Sequence, residues 1–103
     1  MRARVMTFYV EVADMTAIVA ALRSELPPVY ASFDGFRGLL VLEGPDERRH
    51  IIALTLWEDD ESVKASESLA ESIADRIAEA AGTSVTRSIY NVAGAIDILA
   101  PNQ

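Results

Sequence analysis

The order of apolar and turn-forming segments predicts an α+β domain of the ferredoxin-like type, βαββαβ, in which an antiparallel four-stranded sheet carries two helices on one face. Three observations lead there. Four short segments are rich in β-branched, leucine and aromatic residues. Two longer segments repeat apolar residues at helical spacing. Turn residues, among them Pro27-Pro28, Gly44-Pro45 and Gly82, separate the segments.

Residues 3–12 alternate, with Met6, Phe8, Val10 and Val12 on one parity and Val5, Thr7, Tyr9 and Glu11 on the other, which predicts the first strand. Asp14 is a suitable N-cap for a helix whose stripe is Met15, Ile18, Leu22 and Leu26, and Pro27-Pro28 is expected to end it. Gly38–Leu42 and Ile51–Trp57 are wholly apolar runs around the polar segment 44–48, an antiparallel hairpin. Asp59 or Asp60 caps a second helix that runs to Ala81 and stops at Gly82. Val63, Ser66, Ala70, Ile73, Ile77 and Ala81 form its inner stripe, while Glu67, Glu71, Asp75 and Glu79 form a solvated acidic face. Val85–Val92 is the last strand. One domain thus covers 1–103, with a core of about 3–92 and an apolar C-terminal tail, 93–103, that carries Ile96, Ile98 and Leu99 and offers a further edge strand.

The hairpin is apolar on both parities. Leu39 and Val41 oppose Leu40 and Leu42, and Ala53, Thr55 and Trp57 oppose Ile52, Leu54 and Leu56. Two helices cover one sheet face only, and a solvated second face would show polar residues in alternation. Each Leu or Ile left bare forgoes roughly 1.5–3 kcal/mol of burial. A second copy of the same sheet is the simplest cover, so a homodimer joined sheet to sheet is expected.

Composition narrows the chemistry. In 103 residues the chain has nine basic and sixteen acidic residues, a net charge of −7. That charge repels phosphate, so neither nucleic acid nor an anionic membrane surface is an expected partner. No apolar run approaches the roughly 18 residues of a membrane-spanning helix. Glu11 and Asp14 interrupt the stretch after the basic N-terminus, which is unlike a signal peptide, so a cytoplasmic location is expected. The absence of cysteine removes disulfides, thiolate nucleophiles and thiolate metal ligands. The single histidine, His50, sits beside Arg48 and Arg49 in a turn and reads as a solvated residue. No glycine-rich nucleotide loop is present, so no cofactor is expected.

Phe33-Asp34-Gly35-Phe36-Arg37-Gly38 before the hairpin, and Leu54-Thr55-Leu56-Trp57-Glu58-Asp59-Asp60-Glu61 at its end, resemble the antibiotic biosynthesis monooxygenase domain. The resemblance spans about residues 3–92. It implies a dimeric α+β barrel with a pocket in each subunit between sheet and helices. It also implies either cofactor-independent oxidation of phenolic or quinol-like aromatics to quinones, or haem degradation. The haem-degrading branch carries an asparagine on strand one and a histidine on helix two, where this chain has Phe8 and Ser66. Serine cannot stand in for a proximal imidazole, which argues against haem degradation. The cofactor-free branch carries an asparagine on strand three and a tyrosine early in helix two, where this chain has Ala53 and Val63.

The expected site therefore centres on Trp57, which would stack on a flat aromatic, with Ser66 and Tyr90 as further catalytic candidates. Phe8, Thr55, Ala53 and Val63 would line the substrate pocket, and Arg37 would meet an anionic substrate oxygen at its mouth. Each residue also has a plainer role. Trp57 and Phe8 pack the core, Tyr90 and Tyr9 pack a ring and wet a hydroxyl, Arg37 and Arg87 form surface ion pairs, and Ser66 bonds back to the Ser62 carbonyl. The alternative function is a non-catalytic ligand-binding or stress-associated barrel. A void bounded by Phe8, Thr55, Trp57 and Ser66 would favour catalysis, and close packing there would favour the alternative.

Overall fold

The computed structural model describes residues 1–10, 15–45 and 49–94. The proposed cap Asp14, the turn residues Asp46 to Arg48 and the tail residues Ile96, Ile98 and Leu99 lie outside the described residues. The elements follow the predicted order: β1 (Arg2–Tyr9), α1 (Met15–Tyr30), β2 (Phe36–Glu43), β3 (His50–Trp57), α2 (Asp60–Ala81) and β4 (Ser84–Asn91). The sheet is antiparallel throughout and runs β2-β3-β1-β4. Helix α1 packs over β2 and β3, and α2 over β1 and β4. Among the described residues no helix is long and apolar enough to cross a membrane.

Register assigns every strand residue to one of two faces. Arg4 lies opposite Thr55, Met6 opposite Ala53 and Phe8 opposite Ile51, so these side chains share the face beneath the helices. They are buried, together with Trp57, and join Leu22, Leu26, Ala70, Ile73 and Ile77 in the core. The other face carries Leu40 and Leu42 from β2, Ile52, Leu54 and Leu56 from β3, Val5 and Tyr9 from β1, and Tyr90 from β4. Leu42, Tyr9 and Tyr90 are exposed there, and the remaining large side chains are half-buried within the single chain. The surplus of apolar residues in the hairpin is thus located on one continuous sheet face, opposite the two helices, with no helix over it among the described residues.

The first helix is longer than expected. It continues through Pro27 and Pro28 to Tyr30. The two prolines each lack the amide hydrogen that would bond back one turn, to Arg23 and Ser24. Both of those residues are exposed. The Pro27 carbonyl still accepts from the Ala31 amide at 2.9 Å. Burial of Leu26 and Tyr30 on the inner stripe holds the last turn in place.

Helix α2 begins and ends as its sequence predicts. The Asp59 carboxylate accepts from the Ser62 amide at 2.9 Å and from the Ser62 hydroxyl at 2.7 Å. Gly82 closes the helix in the left-handed conformation, φ 68°, its amide turned back to the Ala78 and Glu79 carbonyls. Gly35 has a different role: it lies so close to Ser62 that a Cβ would collide with the Ser62 Cβ and Oγ. Its carbonyl accepts from the Glu58 amide at 2.8 Å, which locks the entrance of β2 to the corner between β3 and α2 and sets Phe36 opposite Trp57.

Two outcomes follow for stability. Gly35→Ala is expected to lower unfolding free energy by about 1–3 kcal/mol through overpacking, with Ser62→Gly in the same chain recovering part of it, read from urea midpoints. The hydrogen bonds from Ser62 hold the Asp59 carboxyl below its ordinary range. Its stabilisation is therefore present above the unfolded-state pKa and is lost as pH falls through the depressed folded-state value. Asp59→Asn, which keeps a capping oxygen but no titration, is expected to show a shallower loss of stability on the acid side in parallel urea titrations at neutral and acid pH.

Candidate functional site

Trp57 ends β3 with its ring beneath the helices and no solvent-exposed surface. Residues two apart on a strand share a face, and its Nε1 donates to the Thr55 hydroxyl at 2.9 Å. Three further rings enclose it. Tyr30 stands edge-on at 5.1 Å between centroids, Phe33 edge-on at 6.1 Å, and Phe36 tilted at 5.4 Å. Tyr30 arrives from the last turn of α1, Phe33 from the connection into β2, and Phe36 from the first position of β2 itself. Phe33 and Phe36 are only partly buried.

A charge completes the enclosure. Arg4 of β1 is 1% exposed, and its guanidinium carbon sits 5.4 Å from the Trp57 ring centroid. Its Nη2 donates to the Val63 carbonyl at 2.9 Å and to the Ser66 hydroxyl at 3.1 Å. The Ser66 hydroxyl in turn donates to the Val63 carbonyl at 3.0 Å, three residues back rather than to Ser62. Arg4 thus ties β1 to the first turns of α2. Its carboxylate neighbour Glu67 lies at 3.9 Å and is half in solvent. Two polar atoms of this cluster, Arg4 Nη1 and the Tyr30 hydroxyl, are buried and find no partner outside the Arg4–Tyr30 pair among the described residues. Burial pushes the Tyr30 phenol above its ordinary pKa, while the Arg4 charge and a hydrogen bond with the Arg4 side chain pull it part of the way back.

The structure brings together most of the residues expected from sequence. Trp57, Thr55, Ala53, Phe8, Ser66 and Val63 are all buried in the layer between sheet and helices. It does not bring Tyr90 or Arg37 there. On β4 the helix-facing parity is Val85, Arg87 and Ile89, so Tyr90 points to the opposite sheet face and is 57% exposed. Arg37 is exposed and paired with Glu58 at 2.8 Å, a surface ion pair. Arg87 reaches Glu71 and Asp75 on α2 at 3.7 and 3.5 Å. His50 opens β3 on the outward parity instead of lying in the turn.

Arg4 and Tyr30 are the residues that sequence reasoning missed, and both left a signal. Arg4 occupies the parity of Met6 and Phe8, the apolar side of β1. Tyr30 stands four residues after Leu26 and continues the stripe of α1 once the helix is allowed to run through its prolines. Two surface grooves lie elsewhere: one of about 500 Å³ between α1 and α2, the other of about 830 Å³ along α1 and β2. Neither is lined by Trp57, Thr55, Phe8 or Ser66. Among the described residues no group of three or more histidine or carboxylate side chains could hold a metal ion.

The comparisons with known proteins agree with this architecture. The family model of antibiotic biosynthesis monooxygenase matches residues 1–74. No curated protein matches the sequence. Among solved structures, a Deinococcus radiodurans protein assigned to the antibiotic biosynthesis monooxygenases is 17% identical with a TM-score of 0.71, over 96% of this chain and 99% of that one. SnoaB, a cofactor-independent oxygenase from Streptomyces nogalater, is 16% identical with a TM-score of 0.65, over 92% and 95%. A monooxygenase from the gene ActVA-Orf6 of Streptomyces coelicolor, in complex with Nanaomycin D, is 14% identical with a TM-score of 0.72, over 92% and 89%. At these identities the structural likeness speaks to the fold, whereas the family model covers most of the sequence directly. The chain belongs to the antibiotic biosynthesis monooxygenase family.

Proposed function

We propose that the protein is a cofactor-independent monooxygenase that oxidises a small phenolic or quinol-like aromatic, with one site in each subunit of a homodimer. The observation that carries this reading is the enclosure of Trp57 by three rings and a buried guanidinium, set between the sheet and helices of this family's fold. Such a site suits a flat, electron-rich ring and its anion. A phenol that loses its proton can pass an electron to dioxygen. A carbon–oxygen bond then forms at a ring carbon, and that carbon's hydrogen leaves as a proton. The oxygen–oxygen bond breaks, one oxygen stays as the quinone carbonyl and the other departs as water. Phenol and dioxygen thus give quinone and water with no external reductant. The protein's tasks are to hold the ring, favour its anion and exclude bulk water. Because Trp57 has no exposed surface, the substrate reaches it by displacing Phe33 or Phe36, the two part-buried walls. The oxygenase activity of SnoaB and the Nanaomycin D complex of the ActVA-Orf6 protein support the reading.

A non-catalytic ligand-binding or stress-associated barrel is the second reading. Full burial of Phe8, Thr55, Trp57 and Ser66, with apolar Ala53 and Val63 beside them, favours it. In either case the outer sheet face supports pairing with a second copy. Leu54 and Leu56 stand at the middle of that face on β3, and a twofold axis would lay each hairpin against the partner sheet.

Oxygen uptake separates the two readings. With anthrone-like and quinol substrates the wild type is expected to consume oxygen above buffer, and Trp57→Phe to lose at least about tenfold in rate, a loss of roughly 1.4 kcal/mol in transition-state stabilisation. No uptake, or equal rates in both proteins, would reject Trp57-dependent oxygenation. Sedimentation at micromolar concentration is expected to give a dimer for the wild type, and a folded monomer for Leu54→Asp. A wild-type monomer would remove the sheet-to-sheet assembly.

A further inference from the structure

We infer that the Phe36 ring is a gate between the open groove along α1 and β2 and the buried indole of Trp57, and that the Arg37–Glu58 ion pair latches it shut. The inference deepens the oxygenase reading by naming the entrance to its site, yet it concerns access to Trp57 and needs no oxygen chemistry.

Phe36 belongs to two places at once. It packs against Trp57 at 5.4 Å between ring centroids and against Tyr30 at 5.6 Å. It also lines the groove of about 830 Å³, together with Val19, Pro27, Leu39 and Val41. Tyr30 and Phe33, the other rings on Trp57, line neither groove. Phe36 is thus the ring shared by the tryptophan enclosure and the open groove.

The backbone around it leaves room for movement. Phe36 is the first residue of β2, an edge strand. The ladder then skips a residue: Phe36 pairs with Trp57 and Gly38 with Leu56, so Arg37 stands in a bulge. Gly38 follows at φ 153°, a setting that residues with a side chain rarely adopt. A ring that turns away from Trp57 meets Val19, Pro27 and Leu39 rather than water, so opening exchanges one apolar contact for another.

Arg37 supplies the hold that the ladder omits. Its Nη1 donates to the Asp34 carbonyl at 2.9 Å and to the Phe36 carbonyl at 3.2 Å. Its Nη2 donates at 2.8 Å to the carboxylate of Glu58, the residue after Trp57. Both partners are exposed, so salt screens the pair. An exposed pair of this kind shifts an equilibrium by up to about fivefold, enough to set how often the gate opens without deciding whether the chain folds.

Trp57 is the only tryptophan, so its fluorescence, excited beyond the tyrosine band, reports on the gate in the full chain. The probe is acrylamide, a small neutral quencher. Weak quenching is expected in the wild type and several-fold stronger quenching in Phe36→Ala, with a far smaller rise in Phe33→Ala. Should Phe36→Ala fail to fold, Phe36→Leu carries the same comparison. Arg37→Gln is the decisive variant, because it keeps the ring and removes only the latch. It is expected to raise quenching by up to about fivefold with little change in melting temperature. Added salt is expected to raise quenching in the wild type and to leave Arg37→Gln unaffected. Unchanged quenching in the Phe36 variant, or an equal rise in Phe33→Ala, would overturn the gate. Arg37→Gln that quenches like the wild type at low and high salt would overturn the latch. A gate that responds in this way in a protein that takes up no oxygen would uphold the inference while rejecting the oxygenase reading. Oxygen uptake by a protein whose quenching ignores residues 36 and 37 would do the reverse.

Discussion

The centre of the structure is a cation held out of water. Arg4 lies beneath α2 with almost no exposed surface, and removing a guanidinium from water is costly unless its hydrogens find acceptors. The Val63 carbonyl and the Ser66 hydroxyl meet that need from the first turns of α2, and the face of Trp57 adds its quadrupole. The position of α2 over β1, the rotamer of Ser66 and the setting of Trp57 are therefore parts of one arrangement. An apolar residue at position 4 would pack there with less electrostatic cost but would leave the Val63 carbonyl and the Ser66 hydroxyl without their link to β1.

Strand pleat and register turn that local arrangement into a division of labour across the sheet. In β3, Ile51, Ala53, Thr55 and Trp57 face the helices while Ile52, Leu54 and Leu56 face outward. These seven consecutive residues thus build both the floor of the aromatic enclosure and the apolar outer surface. A ligand on one side and a partner on the other would be separated by a single layer of backbone. Tyr90, one residue from Ile89 and opposite Ala3, belongs to the outer surface by the same rule.

Most of the fold is legible in the sequence because its signals are local and strong. The alternation in β1, the Asp59 cap, the Gly82 stop and the two apolar runs of the hairpin each predict an element that the structure contains. Where local rules failed, a tertiary contact had won. Pro27 and Pro28 ordinarily end a helix, but buried Leu26 and Tyr30 carry α1 one turn further. The site was legible in its apolar part, Trp57 with Thr55, Phe8, Ala53 and Val63. Its polar part was not, because arginines are expected at the surface. Arg37, close to the Gly-Phe motif, was the natural candidate for an anion, yet Glu58 already holds it in solvent. Arg4 was hidden by its place near a basic N-terminus and is revealed only when its parity with Met6 and Phe8 is followed through the register.

The substitutions at Ala53 and Val63 acquire a physical sense from this geometry. An apolar residue at each of these positions lowers the local polarity around Trp57 and leaves Arg4 and Tyr30 with fewer competing hydrogen-bond partners. A low-polarity surround strengthens whatever electrostatic contact remains. With Ala53 and Val63 beside it, Trp57 still has a guanidinium over its ring and a phenol edge-on to it, the two linked by a hydrogen bond. The polar side of the enclosure is therefore shared among Arg4 of β1, Thr55 of β3, Tyr30 of α1 and the Val63 carbonyl and Ser66 hydroxyl of α2.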